Sequence, residues 1–155
     1  MHERYMREAI ELAREAVTAD RGGPFGAVVV QGDRVVGRGC NRVTSDNDPT
    51  AHAEVSAIRD ACARLGRYWL EDCVLYVNCE PCPMCLGAIY WARIGKVYYA
   101  GVAADAAAAG FADQQIAEEL CRPADARRLP MEQLLRDEAL PVFQLWRDKP
   151  DRLDY

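Results

Sequence analysis

The chain has 155 residues, 50% of them apolar and 28% charged. That balance excludes a disordered or collagen-like protein and suits one globular domain whose core stands without disulfide staples. Nineteen basic side chains against 24 acidic ones give a net charge of −5, with the acidic excess beyond residue 100. The acidic C-terminal third offers no basic tail, and gripping a phosphate backbone usually takes a basic patch or stripe, so nucleic acid is disfavoured as a partner. No apolar run approaches the roughly 18 residues of a membrane span, and Met1-His2-Glu3-Arg4 lacks the layout of a signal peptide, so a cytoplasmic protein without a membrane partner is expected. Seven cysteines, an odd number, point in a reducing compartment to metal binding, catalysis or burial.

Tyr5, Ala9, Leu12, Ala13, Ala16 and Val17 recur at three- and four-residue spacing and predict an amphipathic helix over residues 4–19, ended by Asp20-Arg21-Gly22-Gly23-Pro24. Ala27 to Val30 and Val35-Val36, joined across Gly32-Asp33, read as a β-hairpin. A turn-rich loop follows over Asn41 to Asp48. Asp48-Pro49 supplies an N-cap and first-turn proline for a helix running to Leu65-Gly66, which places His52 and Glu54 in its first turns. Val74 to Val77 is a strand, Glu80-Pro81 opens a helix carrying Cys82, Cys85, Ile89 and Trp91, and Lys96 to Ala100 returns as a strand, which together suggest a parallel βαβ unit. A helix around Asp113 to Cys121, a short strand near Met131 to Leu135, a helix from about Ala139 to Trp146 and an extended tail complete the chain. No repeat or linker divides it, so residues 1–155 are expected to form a single domain.

Three features carry chemistry: His52-Ala53-Glu54 at one helix start, Pro81-Cys82-Pro83-Met84-Cys85 at another, and the pairing of the two. Cys82 and Cys85, three apart, lie on one face and can share an ion, and His52 offers a third ligand. One imidazole and two thiolates suit Zn²⁺ and leave a fourth tetrahedral position for water, the mark of a catalytic site. Helix N-termini at the ligands would offset the negative charge of the thiolates. Glu54, two residues from His52, would sit about 200° away on a regular helix, so spacing alone does not bring it to the metal. Cys79, Cys82 and Cys85 lack the fourth cysteine of an iron–sulfur run. Cys79 reads as a strand-end residue that packs, Cys40, Cys62, Cys73 and Cys121 as plain thiols. His2, at a frayed terminus, falls outside any site.

His-Ala-Glu followed by Pro-Cys-Pro-Met-Cys resembles the zinc-dependent nucleoside and nucleobase deaminases, in which the Glu shuttles a proton. Gly22 to Val28, Asn47 to Glu54, Cys79 to Arg93 and the ending Asp154-Tyr155 narrow the resemblance to the bacterial guanine deaminases of that superfamily, over essentially the whole chain. The resemblance implies a cytidine deaminase-like α/β fold, a three-layer α-β-α sandwich around a mixed sheet of about five strands. It implies one Zn²⁺ per subunit on His52, Cys82 and Cys85, with Glu54 and Asp113 as the catalytic pair. Where the family often has two acids after the phenylalanine of Gly110-Phe111-Ala112-Asp113, this chain has Ala112 then Asp113, and the role is carried to Asp113. Phe25 and Trp91 would wall the purine, Asn41 and the backbone N–H of Ala53 would bond it, and Tyr155 would cap the pocket of a partner subunit. A homodimer exchanging its C-terminal segment, about residues 130–155, is implied as well.

The implied reaction is hydrolysis of guanine to xanthine and ammonia, with a guanosine or triazine amine deaminase as the alternative within the same chemistry. A tRNA adenosine deaminase would need basic and aromatic surfaces around a flipped base, against which the acidic charge balance argues. A zinc-stabilised interaction module would need a fourth protein ligand, and none is apparent near the other three.

Overall fold

The β-branched run after Pro24 pairs as the hairpin signal requires: β1 (Gly26–Gln31) and β2 (Arg34–Cys40) run antiparallel, with Gln31 opposite Arg34 across the two-residue turn. In the computed structural model, which describes residues 1–111 and 113–155, the chain divides into two units, Met1–Ala117 and Glu118–Tyr155. Within the first unit, β1 also pairs antiparallel with β3 (Cys73–Cys79), and β3 pairs parallel with β4 (Lys96–Gly101), giving the order β2-β1-β3-β4. The parallel step carries a crossover helix, so the βαβ expectation holds. The sheet has four strands, where about five were expected. The run from Met131 to Leu135 is not a strand: no strand among the described residues pairs with it to take its backbone hydrogen bonds, and Leu135 turns into the left-handed region (φ 53°) to start a helix.

The first unit is three-layered because strand residues alternate faces. Val28, Val30 and Tyr76 point to one side and pack on Tyr5 and Ala9 of helix α1 (His2–Thr18). Ala27, Val29, Leu75 and Val77 point to the other and pack with Ala53, Ala57 and Ala61 of α3 (Ala53–Leu65), and with Ile89 of α4 (Pro83–Trp91). Each fully buried Val or Leu contributes about 1.5–3 kcal/mol, which makes these two interfaces the main source of stability. Of the predicted face of α1, Tyr5, Ala9, Ala13 and Ala16 are buried and Leu12 is half-buried, whereas Val17 is 48% exposed. His2 is not frayed: it begins α1, its Nδ1 lies 2.6 Å from the Tyr76 hydroxyl, and its ring lies against Tyr98.

Two helix starts differ from expectation, and both differences bear on the site. Asp48 does not cap α3. Its Oδ1 accepts hydrogen bonds from the N–H and hydroxyl of Thr50 (2.8 and 2.7 Å), an Asx turn that competes with helix, and α3 begins at Ala53 with His52 as N-cap. Likewise α4 begins at Pro83 with Cys82 as N-cap, later than Glu80-Pro81, because proline favours the first helical position. The loop after Asn41 contains a short helix, α2 (Val43–Asp46).

Helix α3 lies unusually close to β2. A Cβ on Gly39 would overlap the carbonyl oxygen of Ala53 and the amide nitrogen of Ala57, so only glycine lets the N-terminal turn of α3 reach the sheet. Gly39→Ala is expected to cost about 1–3 kcal/mol through this overlap, read as a lower Tm. An unchanged Tm would show that the approach is slack.

Past β4 the chain forms α5 (Ala103–Ala108) and α6 (Asp113–Cys121). The second unit then holds a short 3-10 turn at Ala124–Ala126, helix α7 (Arg136–Asp148) and the expected irregular tail. No described helix is long and apolar enough to cross a membrane.

Candidate active site

His52 and Cys82 are the N-caps of α3 and α4, both extended (ψ 159° and 167°), and Cys85 lies one turn inside α4. His52 Nδ1 lies 3.5 Å from each of the two sulfurs, and the three ligand atoms all lie within 4.8 Å of one another. Tetrahedral Zn²⁺ with bonds of about 2.0 Å to nitrogen and 2.3 Å to sulfur sets N and S about 3.5 Å apart, so the donor set fits zinc in type and spacing. The positive ends of α3 and α4 meet at the same place and favour the charge of the thiolates. Contact with the Cys85 thiol, and then with His52, holds Cys82 down to a pKa of about 4. The same sulfur contact and burial push Cys85 up, and contact with Cys82 raises His52. All seven cysteines are free, and Cys79 ends β3 and is buried, as read from the sequence.

The N-cap geometry corrects the helical-wheel argument about Glu54. Because residue 52 is extended, the 100° step per residue does not apply across it, and Glu54 in the first turn of α3 lines the same cavity as His52 and Cys82. Glu54 is only 5% exposed, and burial raises its pKa. Asp113, at the start of α6, lines this cavity too, and its carboxyl is raised first by burial and then by Cys82. Ala112, just before it, lies outside the described residues.

The cavity has a volume of about 230 Å³. Phe25 and Asn41 line it alongside the four groups above. Asn41 is buried at the end of the hairpin, and its Oδ1 accepts hydrogen bonds from Gly23 N (3.0 Å) and Val43 N (3.3 Å). Locking the oxygen this way leaves the amide NH₂ as the group presented to the cavity. Cys85 and Ala53 are fully buried and do not line the cavity, and the Ala53 N–H, first in α3, has no intrahelical acceptor. Trp91 ends α4, is 69% exposed, and is not among the cavity's lining residues. Tyr155 belongs to the second unit.

Sequence reasoning missed Phe111 and Glu80 as lining groups. Glu80 Oε2 accepts the N–H of Ala103 (3.1 Å), tying the segment before Cys82 to α5. The available signal for Phe111 was an aromatic directly after the glycine that ends α5.

A three-layer α-β-α unit with a His-Cys-Cys triad at two helix N-caps and a buried glutamate beside it defines a class of zinc deaminases. The chain belongs to the cytidine and deoxycytidylate deaminase zinc-binding family, whose zinc-binding region matches residues 1–101. Across its length it is similar to the guanine deaminase of Bacillus subtilis (strain 168), with 53% identity over 154 residues that cover 99% of each chain. The X-ray structure of guanine deaminase from Bacillus subtilis matches with a TM-score of 0.97 at 52% identity, covering 100% of this chain and 99% of that one. A tRNA-specific adenosine deaminase of Agrobacterium fabrum (strain C58) is 47% identical over 95 residues, 61% of this chain and 62% of that protein.

Proposed function

We propose that the chain hydrolyses guanine to xanthine and ammonia, with one zinc ion held by His52, Cys82 and Cys85. The observation that carries this reading is one cavity that joins the ligand triad, two carboxyl groups and the fixed amide of Asn41. The likeness to a guanine deaminase, 53% identity over 99% of the chain, against 47% identity over 61% of it to a tRNA-specific adenosine deaminase, supports guanine as the base.

Zinc bound there lowers the pKa of water to about 7 and so makes a nucleophile available at neutral pH. The chain's own groups do the rest. Asn41 donates to acceptor atoms on the purine edge, and Phe25 offers an apolar face to the ring. Glu54 takes the proton of the attacking water and delivers it to N3 as C2 accepts the oxygen, so one carboxylate serves both the forming bond and the nitrogen that gains charge. Asp113 accepts from the exocyclic amine, and with Glu54 passes the proton with which ammonia leaves. Water adds and ammonia departs, which balances guanine against xanthine.

Asn41→Asp separates binding from chemistry. An aspartate keeps an acceptor for Gly23 and Val43 but replaces the donor group with a second acceptor in a cavity that already holds two acids. The expected result is a KM for guanine raised about tenfold to a hundredfold, as for loss of a buried hydrogen bond of about 1–3 kcal/mol. An unchanged KM would remove Asn41 from the binding edge.

The second unit supports a homodimer that exchanges its C-terminal segment. None of its residues is buried, and Leu134, Leu145, Leu153 and Tyr155 are 82%, 72%, 69% and 71% exposed. That much apolar surface calls for a cover. In such a dimer the partner's tail would cap the pocket, with Tyr155 where a ribose would sit and Trp91 beside it, which favours guanine over guanosine. Removing residues 153–155 is expected to lower guanine turnover about tenfold by admitting water to the site, with zinc retained. Light scattering that finds a monomer, or turnover unaffected by the deletion, would dismiss the tail as a lid. Release of ammonia from guanine, guanosine and a tRNA with adenosine at the wobble position, compared side by side, tests the substrate. Guanine is expected to be turned over fastest; faster turnover of either other substrate would overturn the assignment.

A further inference from the structure

We propose that Phe111 is a positioning residue for Asp113: its ring, delivered by the turn after α5 and clasped against Phe25, sets the Asp113 carboxyl in the cavity beside Glu54. This inference rests on the guanine deaminase reading above.

Helix α5 ends in a Schellman turn. Gly110 adopts φ +95°, its N–H donates to Ala107 O (3.0 Å), and the N–H of Phe111 donates to Ala106 O (3.1 Å). That pair of bonds fixes where the chain leaves the helix. The ring meets Phe25 edge to face, with centroids 4.8 Å apart and planes at 77°, a geometry favoured by aromatic quadrupoles. Gly23 makes room for the pair. A Cβ there would lie 3.1 Å from Phe111 Cζ and 3.3 Å from Phe25 Cδ2, tighter than the rings tolerate without moving. Gly23 also donates its N–H to Asn41, so the residue that admits the ring is bonded to the one that presents the cavity's amide. Two residues beyond Phe111, Asp113 begins α6 and lines the cavity. Phe111 therefore follows directly on a helix end and is anchored by its ring, and Asp113, two positions on in sequence, is the first residue of the next helix.

A ring that only walls the pocket would act on KM, whereas a ring that places a proton-transfer group acts on kcat through that group. The test measures kcat and KM for guanine, with zinc content by atomic absorption, in the wild type, Phe111→Leu, Phe111→Met and Asp113→Asn. It adds the double variant Phe111→Leu/Asp113→Asn. The methionine variant keeps volume and so guards against simple loss of folding. Because misplacement by about 1 Å can cost about a hundredfold, both Phe111 variants are expected to lose kcat about tenfold to a hundredfold, with KM changed less and zinc retained. Groups that act as a unit are not additive, so Phe111→Leu in the Asp113→Asn background is expected to cost no more than about twofold further. Full kcat in the Phe111 variants, a rise in KM alone, or a loss that multiplies in full with that of Asp113→Asn would overturn the inference. Absence of guanine turnover in the wild type would instead overturn the functional reading, and this inference with it.

Discussion

Glu54→Gln is expected to keep zinc at one ion per chain and to lower guanine turnover by about a thousandfold or more, within the range that a positioned acid–base group supplies. Glutamine has the size and polar reach of glutamate but cannot carry a proton between water and N3. The substitution falls in the first turn of α3, beside a ligand but not on one, in a buried position that accepts an isosteric side chain. Metal content is the internal control. A variant that holds zinc and still turns over guanine near the wild-type rate would remove Glu54 from its role and leave Asp113 as the acid to examine. A variant that loses zinc would show instead that Glu54 acts through the metal site.

Cys82→Ala removes a metal ligand in place of the proton carrier. Cys82 supplies a thiolate at the N-terminus of α4, 3.5 Å from His52 Nδ1, and alanine supplies nothing in its place. Groups that merely support metal ligands cost 10–100-fold in affinity when lost, so removal of a ligand itself is expected to weaken zinc binding by more than about a hundredfold. Zinc content and guanine turnover should fall together. A zinc-free Cys82→Ala protein with full activity would end the metal assignment.

The ligand triad was legible in the sequence because its signal is chemical. Two cysteines three apart after a proline, and a histidine at another helix start, are residue types that share little else. Glu54 was legible only by resemblance, since a wheel drawn through residue 52 assumed a helix where the chain is extended. The error began at Asp48, whose carboxylate bonds Thr50 in a local turn instead of capping α3. Local side-chain bonds of this kind compete with helix starts, and composition does not tell which will win. Phe111 was harder, because its partner Phe25 lies far away in sequence and the two rings meet only in the folded chain. The two-faced core was plain from alternation in Ala27 to Val30, whereas the Met131 to Leu135 run was misread because apolar content without a pairing strand does not make a β-strand.

The most direct measurement takes the wild-type protein with and without its metal. Zinc is stripped by chelation and restored to one ion per chain, while xanthine and ammonia are followed from guanine. The two products are expected in equal amounts, at a rate that vanishes with the metal and returns with it. Zinc-loaded protein that releases no ammonia from guanine, or stripped protein that releases it just as fast, would contradict the account.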